Sequence, residues 1–446
     1  MKRVIIIGAA GRDFHNFNMV FRNSPDHEVV AFTAAQIPGI EGRTYPPELA
    51  GPRYPDGIPI FAEKELPRLI KELKADLTIL SYSDLSYADV MHIGSSALAA
   101  GADFQLLGPR NTMLRSRLPV VSVGAVRTGA GKSTVSRKIS LTLRDAGKKV
   151  VVIRHPMPYG DLTKEGVQRF ASFEDLDKAE CSIEEREEYE PHIEHGFVVY
   201  AGIDYEQILR SAEKEADIIL WDGGNNDIPF IQPNVHFAVL DPLRPGDELT
   251  HYPSEVNVRL ANVGIINKVN VAELKNIQLV ESNLKTLNPT AVVIKAASEA
   301  TVDKPELVRG KRVLIIEDGP TVTHGDMAYG VGYVAAKSFH AKEIVDPRKY
   351  AVGIVKDIFK KYTHVTEVLP TVGYGNQQIR DMEATIAKVD CDTIMIATPA
   401  DIRRIIKFLK PTVRVGYELK EQTKPGIKDV LHTKGLQRTL SQSPRA

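Results

Sequence analysis

The sequence predicts an α/β fold built from parallel sheets and divided into several domains. Short Val- and Ile-rich runs such as "VIIIG", "LTILSY", "VVSVGAV" and "DIILWDGG" alternate with segments of helical spacing, which is the pattern of strands joined by crossover helices. The runs are apolar throughout, as expected of strands whose sheet is covered by helices on both faces. Sheets of this kind bind ligands at the carboxyl ends of their strands, so the residues just after each run are the candidates for function.

The composition limits the class of protein. The chain has 446 residues, enough for two or three domains. Lys plus Arg and Asp plus Glu number 57 each, so no overall basic field favours nucleic acid or a membrane, and local clusters would have to bind an anionic ligand. Cys181 and Cys391 are the only cysteines, too few for a disulfide framework or a cysteine-based metal site.

The hydropathy pattern predicts a cytoplasmic protein. No apolar run approaches the ~18 residues of a membrane span. The opening "MKRVIIIGAAG" has a short apolar run that leads directly into a glycine turn, which is typical of a buried strand rather than a signal peptide.

Changes of pattern along the chain predict the domain boundaries. A complete series of strands and helices precedes "NTMLRSRLP", and a new first strand follows it. We therefore expect a Rossmann-like α/β domain over residues 1–118 and a P-loop nucleotide-binding domain over 119–305. A C-terminal α/β region would cover 306–420. Residues 421–446 are polar and basic without periodicity, which predicts a loosely attached tail.

The first domain opens "GAAGRDFHNF", with Gly8 and Gly11 after a strand. A dinucleotide site also requires an acidic residue at the end of the second strand, and "AFTAAQ" has none. NAD binding is therefore disfavoured. Arg12 and His15 follow the first strand and are candidate substrate-binding residues, although polar residues of a surface turn are an equally good interpretation.

The turn "RTGAGKST" follows the buried run "VVSVGAV" and leads into a helical segment. Its glycines let backbone N–H groups converge on an anion, and the N-terminus of the helix adds to the attraction. A lysine and a hydroxyl after the last glycine make this the pattern of a P-loop for a nucleoside triphosphate with Mg²⁺. The predicted ATP-binding residues of the turn are Arg127, Thr128, Gly129, Ala130, Gly131, Lys132, Ser133 and Thr134.

One departure from the standard P-loop is informative. Val126 stands where the strict pattern has glycine, so the turn resembles the deviant P-loop of dimerising nucleotide-dependent ATPases, and this resemblance predicts a homodimer. Lys132 is predicted to be catalytic, because it would neutralise the phosphoryl group during transfer. Arg127 would either reach the γ-phosphate, within its own chain or across a dimer, or cap the loop structurally.

Two later strands complete the predicted nucleotide site. "DIILWDGG" ends its apolar run at Asp222, which fits the Walker B carboxylate and would share Mg²⁺ with Ser133. "VGIINKVN" carries Asn267 and Lys268, which would line the base pocket, and Asn270 where related GTPases have aspartate. A neutral amide loses the charge-assisted hydrogen bonds to guanine, which predicts ATP rather than GTP.

Other strand ends carry candidates for substrate binding and proton transfer. Arg154, His155 and Tyr159 in "RHPMPYGDL" are predicted to bind substrate, and Asp161 to act on a metal or a proton. A charged surface loop is the alternative. Glu317 in "IIEDGPTVTHGD" is a candidate for a catalytic role, in proton transfer or metal binding, with a solvated turn as an equally good interpretation.

One set of motifs occurs in order along the chain: "GAAGRDFHNFN", "LGPRNTML", "RTGAGKS", "RHPMPYGDL", "WDGGNND", "NKVN", "EDGPTVTHG" and "VLPTVGYG". In this order they resemble the cyclic 2,3-diphosphoglycerate synthetase family, over roughly residues 3–420. The resemblance implies an ATP-dependent ligase that closes an intramolecular phosphoanhydride in 2,3-bisphosphoglycerate, with a phosphorylated small molecule as its partner. The competing interpretations are a small-molecule kinase and a regulatory GTPase switch.

Overall fold

The computed structural model describes residues 1–9, 11–35, 40, 42–155, 162–224, 226–323, 328–371 and 376–436. Within these ranges the strands are β1 (Lys2–Ile7), β2 (His27–Ala34), β3 (Thr44–Tyr45), β4 (Ile58–Ala62), β5 (Leu77–Leu80), β6 (Leu85–Ser86), β7 (Asp103–Leu106), β8 (Val120–Ala125), β9 (Val150–Ile153), β10 (Gln168–Phe170), β11 (Val198–Ala201), β12 (Ile218–Trp221), β13 (Val235–Leu240), β14 (His251–Tyr252), β15 (Val263–Ile266), β16 (Val292–Val302), β17 (Arg312–Glu317), β18 (Glu343–Ile344), β19 (Leu369–Pro370), β20 (Thr393–Ala397) and β21 (Thr412–Glu421).

The α-helices of the same ranges alternate with these strands and are α1 (Arg12–Asn16), α2 (Pro47–Ala50), α3 (Leu66–Glu72), α4 (Tyr87–Ala100), α5 (Pro109–Thr112), α6 (Lys132–Asp145), α7 (Phe173–Lys178), α8 (Ile183–Ile193), α9 (Tyr205–Ala212), α10 (Asp247–Thr250), α11 (Ser254–Leu260), α12 (Leu274–Leu287), α13 (Gly319–Val322), α14 (Val331–Ser338), α15 (Gly353–Lys361), α16 (Asn376–Lys388) and α17 (Ile427–Thr433). A π-helical turn covers Phe17–Phe21, and 3₁₀ turns cover Glu63–Glu65, Pro305–Leu307, Arg348–Tyr350 and Ile402–Arg404. The predicted α/β fold class is confirmed. No helix among the described residues combines the length and the apolar character needed to cross a bilayer.

The chain forms two compact units. The first comprises residues 1–171, 197–296 and 421–446, and the second comprises residues 172–196 and 297–420. The second unit therefore takes a segment from the middle of the chain, which the sequence pattern did not indicate. Its C-terminal part begins close to the boundary that we predicted near residue 305.

The predicted boundary at residue 118 falls inside the first unit. Hydrogen bonds join the chain on either side of it, since Arg12 Nη1 donates to the Ile228 carbonyl at 2.7 Å and the Leu114 amide donates to the Phe230 carbonyl at 2.8 Å. The N-terminal sheet and the sheet of the phosphate loop are thus parts of one compact body.

The prediction of a loose C-terminal tail is wrong for residues 421–436. Helix α17 forms there, with Ile427 and Leu431 buried. The Gln422 amide also donates to the Lys295 carbonyl at 2.7 Å, which extends the chain along β16. Residues 437–446 lie outside the described residues.

Two large sheets and an antiparallel pair of short strands, β6 and β14, lie in the first unit. The N-terminal sheet has the order β3-β4-β2-β1-β5-β7, parallel except for β3, and is Rossmann-like as predicted. The other sheet runs β10-β11-β9-β12-β8-β13-β15-β16 within this unit, parallel except for β10. Strand β8 lies between β12 and β13, and all six of its residues are buried. The carboxyl ends of β8, β9, β12 and β15 therefore lie at one edge of the sheet.

The strands of the second unit are parallel and follow the order β21-β20-β17-β18, with β19 beside the end of β17. Alternate residues of β17 pack into two cores. Leu314 and Ile316 pack with residues of α15 and α16, while Val313 and Ile315 pack with residues of α14. Both faces of the strand are covered, which explains why its sequence is continuously apolar.

Candidate active site

The phosphate loop is shaped by two glycines that no other residue could replace without strain. Gly129 and Gly131 have φ values of 82° and 102°, in the region that L side chains rarely adopt. A Cβ on Gly131 would also lie 2.1 Å from Asn267 Nδ2. Helix α6 begins at the next residue, Lys132, so the loop ends at the N-terminus of a four-turn helix, as a phosphate site requires.

Asn267 and Lys268 hold this loop from the end of β15. Asn267 Nδ2 donates to the Ala130 carbonyl at 3.0 Å, and Lys268 Nζ donates to the Gly129 carbonyl at 2.7 Å. The two residues thus brace the phosphate loop, a structural task that the sequence did not indicate. Asn270 is exposed in the turn that follows. The base-pocket role of all three residues stays a prediction.

Lys132 and Asp222 meet beneath the loop. Lys132 Nζ lies 2.7 Å from Asp222 Oδ1 and also donates to the carbonyls of Asp222 and Gly223, at 3.2 and 3.0 Å. Burial, with help from the nearby Arg154 guanidinium, lowers the pKa of Lys132 to about 8, although Asp222 opposes the shift. The predicted P-loop lysine and Walker B carboxylate are therefore brought together.

Asp222 is the centre of a buried ionic cluster. Its Oδ1 accepts a hydrogen bond from Ser136 Oγ at 2.6 Å as well as from Lys132, and Arg154 Nη1 lies 2.5 Å from its Oδ2. Arg154 leaves the end of β9 and Ser136 lies one turn into α6. Sequence reasoning identified Arg154 but missed Ser136, because the P-loop pattern ends two residues before it.

The oxygen donors of this region suit Mg²⁺, which binds carboxylates, hydroxyls and phosphate oxygens. The side chain of Asp222 is buried against two cations, whereas Ser133 is exposed at the first turn of α6. A carboxylate and a hydroxyl at the phosphate loop fit the ion chemically. The assignment of Ser133 and Asp222 as metal ligands stays a prediction.

His155 contacts a second buried carboxylate next to this cluster. Its Nδ1 lies 2.7 Å from Oδ2 of the buried Asp227. Burial opposes ionisation of Asp227, but the His155 ring, its hydrogen bond and Arg12 outweigh burial and lower the pKa of Asp227 to about 2. A Cβ on Gly224 would lie 2.4 Å from Asp227 Oδ2 and 3.1 Å from the His155 ring. The glycine after the Walker B strand therefore makes room for this pair.

The residues after β1 are buried, so the interpretation of "GRDFHNF" as a polar surface turn is wrong. The Arg12 guanidinium lies 5.2 Å from the centroid of the Phe230 ring. Its Nη1 donates a hydrogen bond to the carbonyl of Ile228. His15 stacks on Phe230 at 4.2 Å and lies 2.6 Å, by its Nε2, from the Thr112 carbonyl. Burial lowers the pKa of His15 to about 3, so the ring is neutral and suited to packing. Arg12, by contrast, lies beside the His155–Asp227 pair.

The sequence left two roles open for Arg127, a contact with the γ-phosphate and a structural cap of the loop. Its contacts in the structure fit the structural role. Its Nε lies 2.6 Å from Asp84 Oδ1, and its Nη1 lies 2.8 Å from His251 Nε2 and 3.4 Å from an Asp247 oxygen. Thr128 Oγ1 also donates to Asp84 at 2.6 Å. Asp84 lies after β5 of the N-terminal sheet. Through these hydrogen bonds it fixes the start of the phosphate loop. A contact of Arg127 with a γ-phosphate would require these bonds to break.

Glu317 lies in the second unit, at the end of β17. It is 1% exposed, so the solvated turn is wrong, and it accepts hydrogen bonds from the amides of Gly330 and Tyr333 at 3.1 and 3.0 Å. Burial raises the pKa of Glu317 to about 8. Nearby, burial and the Asp318 carboxylate raise the pKa of Glu187 well above its usual range. The predicted catalytic residue is therefore protonated at neutral pH.

Two predicted residues, Tyr159 and Asp161, lie outside the described residues. The sequence patterns did not single out three further residues of the site, namely Asp84, Ser136 and Asp227. Asp84 follows a strand in "LSYSD" and Asp227 closes "DGGNND", so both carried the signal of an acidic residue near a strand end. Nothing local in the sequence indicated the cations that they contact.

Comparison with known proteins identifies a close relative. The chain is 61% identical over 430 residues to the arginine synthetase ArcE of Thermococcus kodakarensis, covering 96% of each chain. No family model matches the sequence. Among solved structures, LpxK from Aquifex aeolicus in complex with ATP is similar with a TM-score of 0.43 and 11% identity, covering 72% of this chain and 90% of that chain. The hydrogenase maturation factor HypB from Archaeoglobus fulgidus is similar with a TM-score of 0.25 and 16% identity, covering 40% and 81%.

Proposed function

The chain belongs to the family of the arginine synthetase ArcE, and from this membership we propose that it is an ATP-dependent ligase that completes the guanidino group of arginine. The observation that carries the phosphoryl-transfer part is the Lys132–Asp222 pair beneath a glycine loop at the start of α6. The more specific resemblance to cyclic 2,3-diphosphoglycerate synthetases stays a prediction.

The chemistry of the product defines the co-substrates. The guanidino carbon of arginine carries three nitrogens, so a ligase that drives its completion with ATP replaces an oxygen on that carbon by nitrogen. The acceptor is then the ureido acid L-citrulline and the donor is ammonia. The ureido oxygen attacks the γ-phosphorus and ADP leaves. Ammonia then attacks the carbon, and the oxygen leaves with the phosphate as inorganic phosphate.

Lys132 and Arg154 supply the positive charge for the first step. Lys132 Nζ contacts Asp222 and reaches the β- and γ-phosphates when nucleotide occupies the loop, because its chain leaves α6 at the loop's end. Arg154 stays paired with Asp222 and adds its positive charge beneath the loop. Mg²⁺, when bound by Ser133 and Asp222, would neutralise charge on the phosphates.

The His155–Asp227 pair supplies the proton acceptor for the second step. A nitrogen that attacks carbon loses a proton, and a histidine oriented by a buried carboxylate is suited to take it. With Nδ1 held 2.7 Å from Asp227 Oδ2, His155 presents Nε2 to the substrate. Asp227 stabilises the resulting imidazolium, because the low pKa of this carboxyl keeps it ionised.

The charge balance of the site favours an amino-acid substrate over a bisphosphate. Arg154 is paired with Asp222, and Arg127 with Asp84. A substrate with two phosphates would require several cations that are not already balanced by carboxylates. A ureido amino acid, which carries one negative and one positive charge, makes no such demand.

Cyclic 2,3-diphosphoglycerate formation is the second candidate, favoured by the ordered motifs from "GAAGRDFHNFN" to "VLPTVGYG". In that reaction one phosphate of bisphosphoglycerate accepts the γ-phosphoryl group. The neighbouring phosphate then attacks the new diphosphate and expels inorganic phosphate. The same phosphate loop would serve both reactions, so the acceptor distinguishes them.

A paired assay separates the candidates. The protein is incubated with ATP, Mg²⁺, L-citrulline and ammonium, and arginine and ADP are measured by chromatography, with ammonium omitted as the control. A second reaction contains 2,3-bisphosphoglycerate and is followed by ³¹P NMR. Arginine and ADP in equal amounts support the proposal. A cyclic pyrophosphate signal supports the second candidate, a linear product indicates a kinase, and hydrolysis without substrate, faster with GTP than with ATP, indicates a nucleotide switch.

A further inference from the structure

Helix α1 buries two polar atoms that have no hydrogen-bond partner among the described residues. Arg12 and Asn16 are 4% and 2% exposed. Within the part of the chain that the structure describes, Arg12 Nη2 and Asn16 Oδ1 are both unpaired. Leaving a buried donor or acceptor unpaired is costly, and most such groups in folded proteins find a partner. An unpaired donor and an unpaired acceptor in one short helix therefore point to a ligand that supplies both partners.

The other atoms of the two side chains are fixed by the protein. Arg12 Nη1 donates to the Ile228 carbonyl at 2.7 Å, and its guanidinium lies 5.2 Å from the Phe230 ring centroid. Asn16 Nδ2 donates to Ser81 Oγ at 2.9 Å. Residues four positions apart lie on the same face of a helix, so Arg12 and Asn16 present one donor and one acceptor on that face.

This face of α1 lies where α/β sheets bind their ligands. Helix α1 follows β1 and Ser81 follows β5, so both lie at the carboxyl edge of the N-terminal sheet, where such sheets bind ligands. The carbonyl that Arg12 contacts belongs to Ile228, the residue after Asp227. A ligand on Arg12 and Asn16 is therefore next to the His155–Asp227 pair.

We propose that Arg12 and Asn16 bind the α-carboxylate and the α-ammonium group of the amino-acid substrate. Arg12 Nη2 donates to the carboxylate, and Asn16 Oδ1 accepts from the ammonium group. The side chain of the substrate then extends toward His155, where its ureido end reacts. This assignment rests on the proposed arginine-forming reaction and adds the site that recognises the constant end of the substrate. A fully ionised phosphate could satisfy only Arg12, because it has no donor for Asn16 Oδ1.

The test uses substrates that lack one of the two groups. Wild-type protein is assayed with L-citrulline, with N-carbamoylputrescine, which lacks the carboxylate, and with 5-ureidopentanoate, which lacks the amine. We expect kcat/KM to fall about ten- to a hundredfold for each analogue, the range of one charge-assisted hydrogen bond. This series requires no variant. Equal kcat/KM for all three substrates would overturn the assignment.

Variants then assign each group to its residue. Arg12→Met is expected to raise KM for L-citrulline about ten- to a hundredfold and to abolish the preference over N-carbamoylputrescine, with KM for ATP unchanged. Asn16→Leu should abolish only the preference over 5-ureidopentanoate. Arg53→Met, at an exposed arginine of the same domain, is the control, and Arg12→Lys should recover part of the preference because it restores the charge.

The outcomes separate this inference from the proposed function. Wild-type protein that makes no arginine contradicts the reaction itself, and the assignment with it, before any variant is compared. Wild-type protein that makes arginine, with an Arg12→Met variant that keeps its full preference for the carboxylate, contradicts the assignment alone.

Discussion

Buried acids occur in both units, but their surroundings differ. In the first unit, Asp222 lies against Lys132 and Arg154, and Asp227 lies against His155. In the second unit, Glu317 accepts hydrogen bonds from backbone amides, and Glu187 lies next to another acid and accepts from the Thr398 hydroxyl. The pKa of Asp227 is lowered to about 2, while that of Glu317 is raised to about 8.

This difference shows what an acidic residue after an apolar strand can and cannot indicate. The desolvation that accompanies burial disfavours the charged form in both places, whereas a nearby cation or a hydrogen bond to the carboxylate favours it. The first unit therefore holds charged groups that are able to exchange partners with a substrate. In the second unit, burial instead favours the protonated forms of Glu317 and Glu187.

The largest effect on turnover is expected from removing the positive charge of Lys132. Lys132→Ala should lower turnover by about 10²- to 10³-fold or more, because the transferred phosphoryl group loses its positive partner. Lys132 is only 8% exposed, so the substitution also affects stability. The fold should survive because Arg154 and Ser136 still contact Asp222.

Steady-state kinetics and thermal unfolding measure the two effects of this change separately. Lys275→Ala, which removes a lysine whose side chain is 77% exposed, is the matched control. Near-normal turnover of Lys132→Ala would show that the phosphate-loop assignment is wrong.

Removing the carboxylate of the same cluster should mainly affect stability. Asp222→Asn leaves Lys132 and Arg154 buried without their counter-charge, and breaking a buried ion pair costs about 3–5 kcal/mol. We expect a lower free energy of unfolding in urea and a weaker dependence of activity on Mg²⁺. Asp217→Asn changes an exposed aspartate at the other end of β12 and serves as the control. An unchanged Mg²⁺ titration would count against the Walker B role of Asp222.

In the second unit, the expected effect is a dependence of stability on pH. Glu317 has a raised pKa, so the folded state keeps a proton that the unfolded chain releases above its ordinary value of 4.5. Stability should therefore fall as pH rises from about 4.5 to about 8, with a slope of up to about 1.4 kcal/mol per pH unit. Glu317→Gln keeps the carbonyl acceptor and does not titrate, so it should flatten this slope.

Thermal unfolding between pH 4 and 9 tests the effect, with Glu306→Gln at an exposed position as the control. Part of the slope should persist in Glu317→Gln, because the pKa of Glu187 is raised as well. Identical slopes for Glu317→Gln and wild type would contradict the raised pKa of Glu317.

The smallest effect concerns the base of the nucleotide. Wild-type protein is expected to prefer ATP, and Asn270→Asp should shift the preference toward GTP by about tenfold, since a carboxylate accepts charge-assisted hydrogen bonds from guanine. Asn270 is exposed, so the substitution leaves the brace formed by Asn267 and Lys268 intact. Competition binding of both nucleotides at equal Mg²⁺ measures the shift, with Asn276→Asp as the control. Tenfold tighter binding of GTP by wild type would show that the prediction from Asn270 is wrong.

Local patterns in the sequence predicted the parts of the site that depend on backbone geometry. The apolar runs marked the strands, and "RTGAGKST" marked the loop whose Gly129 and Gly131 have positive φ values. Lys132 and Asp222 were identified from short motifs and indeed lie 2.7 Å apart. These features are encoded locally, because a strand or a glycine turn is specified by a few consecutive residues.

Only the tertiary structure decided which charges are paired. Asp84 lies 43 positions before Arg127 in the chain, yet its Oδ1 accepts a hydrogen bond from Arg127 Nε at 2.6 Å, and no local pattern indicated this contact. The same holds for the burial of Glu317 and for the segment 172–196, which joins the second unit. Periodicity is a property of neighbours along the chain, whereas ion pairing and desolvation depend on groups that meet only after folding. The sequence by itself therefore determined where the candidate groups stand, and the fold determined which of them carry charge.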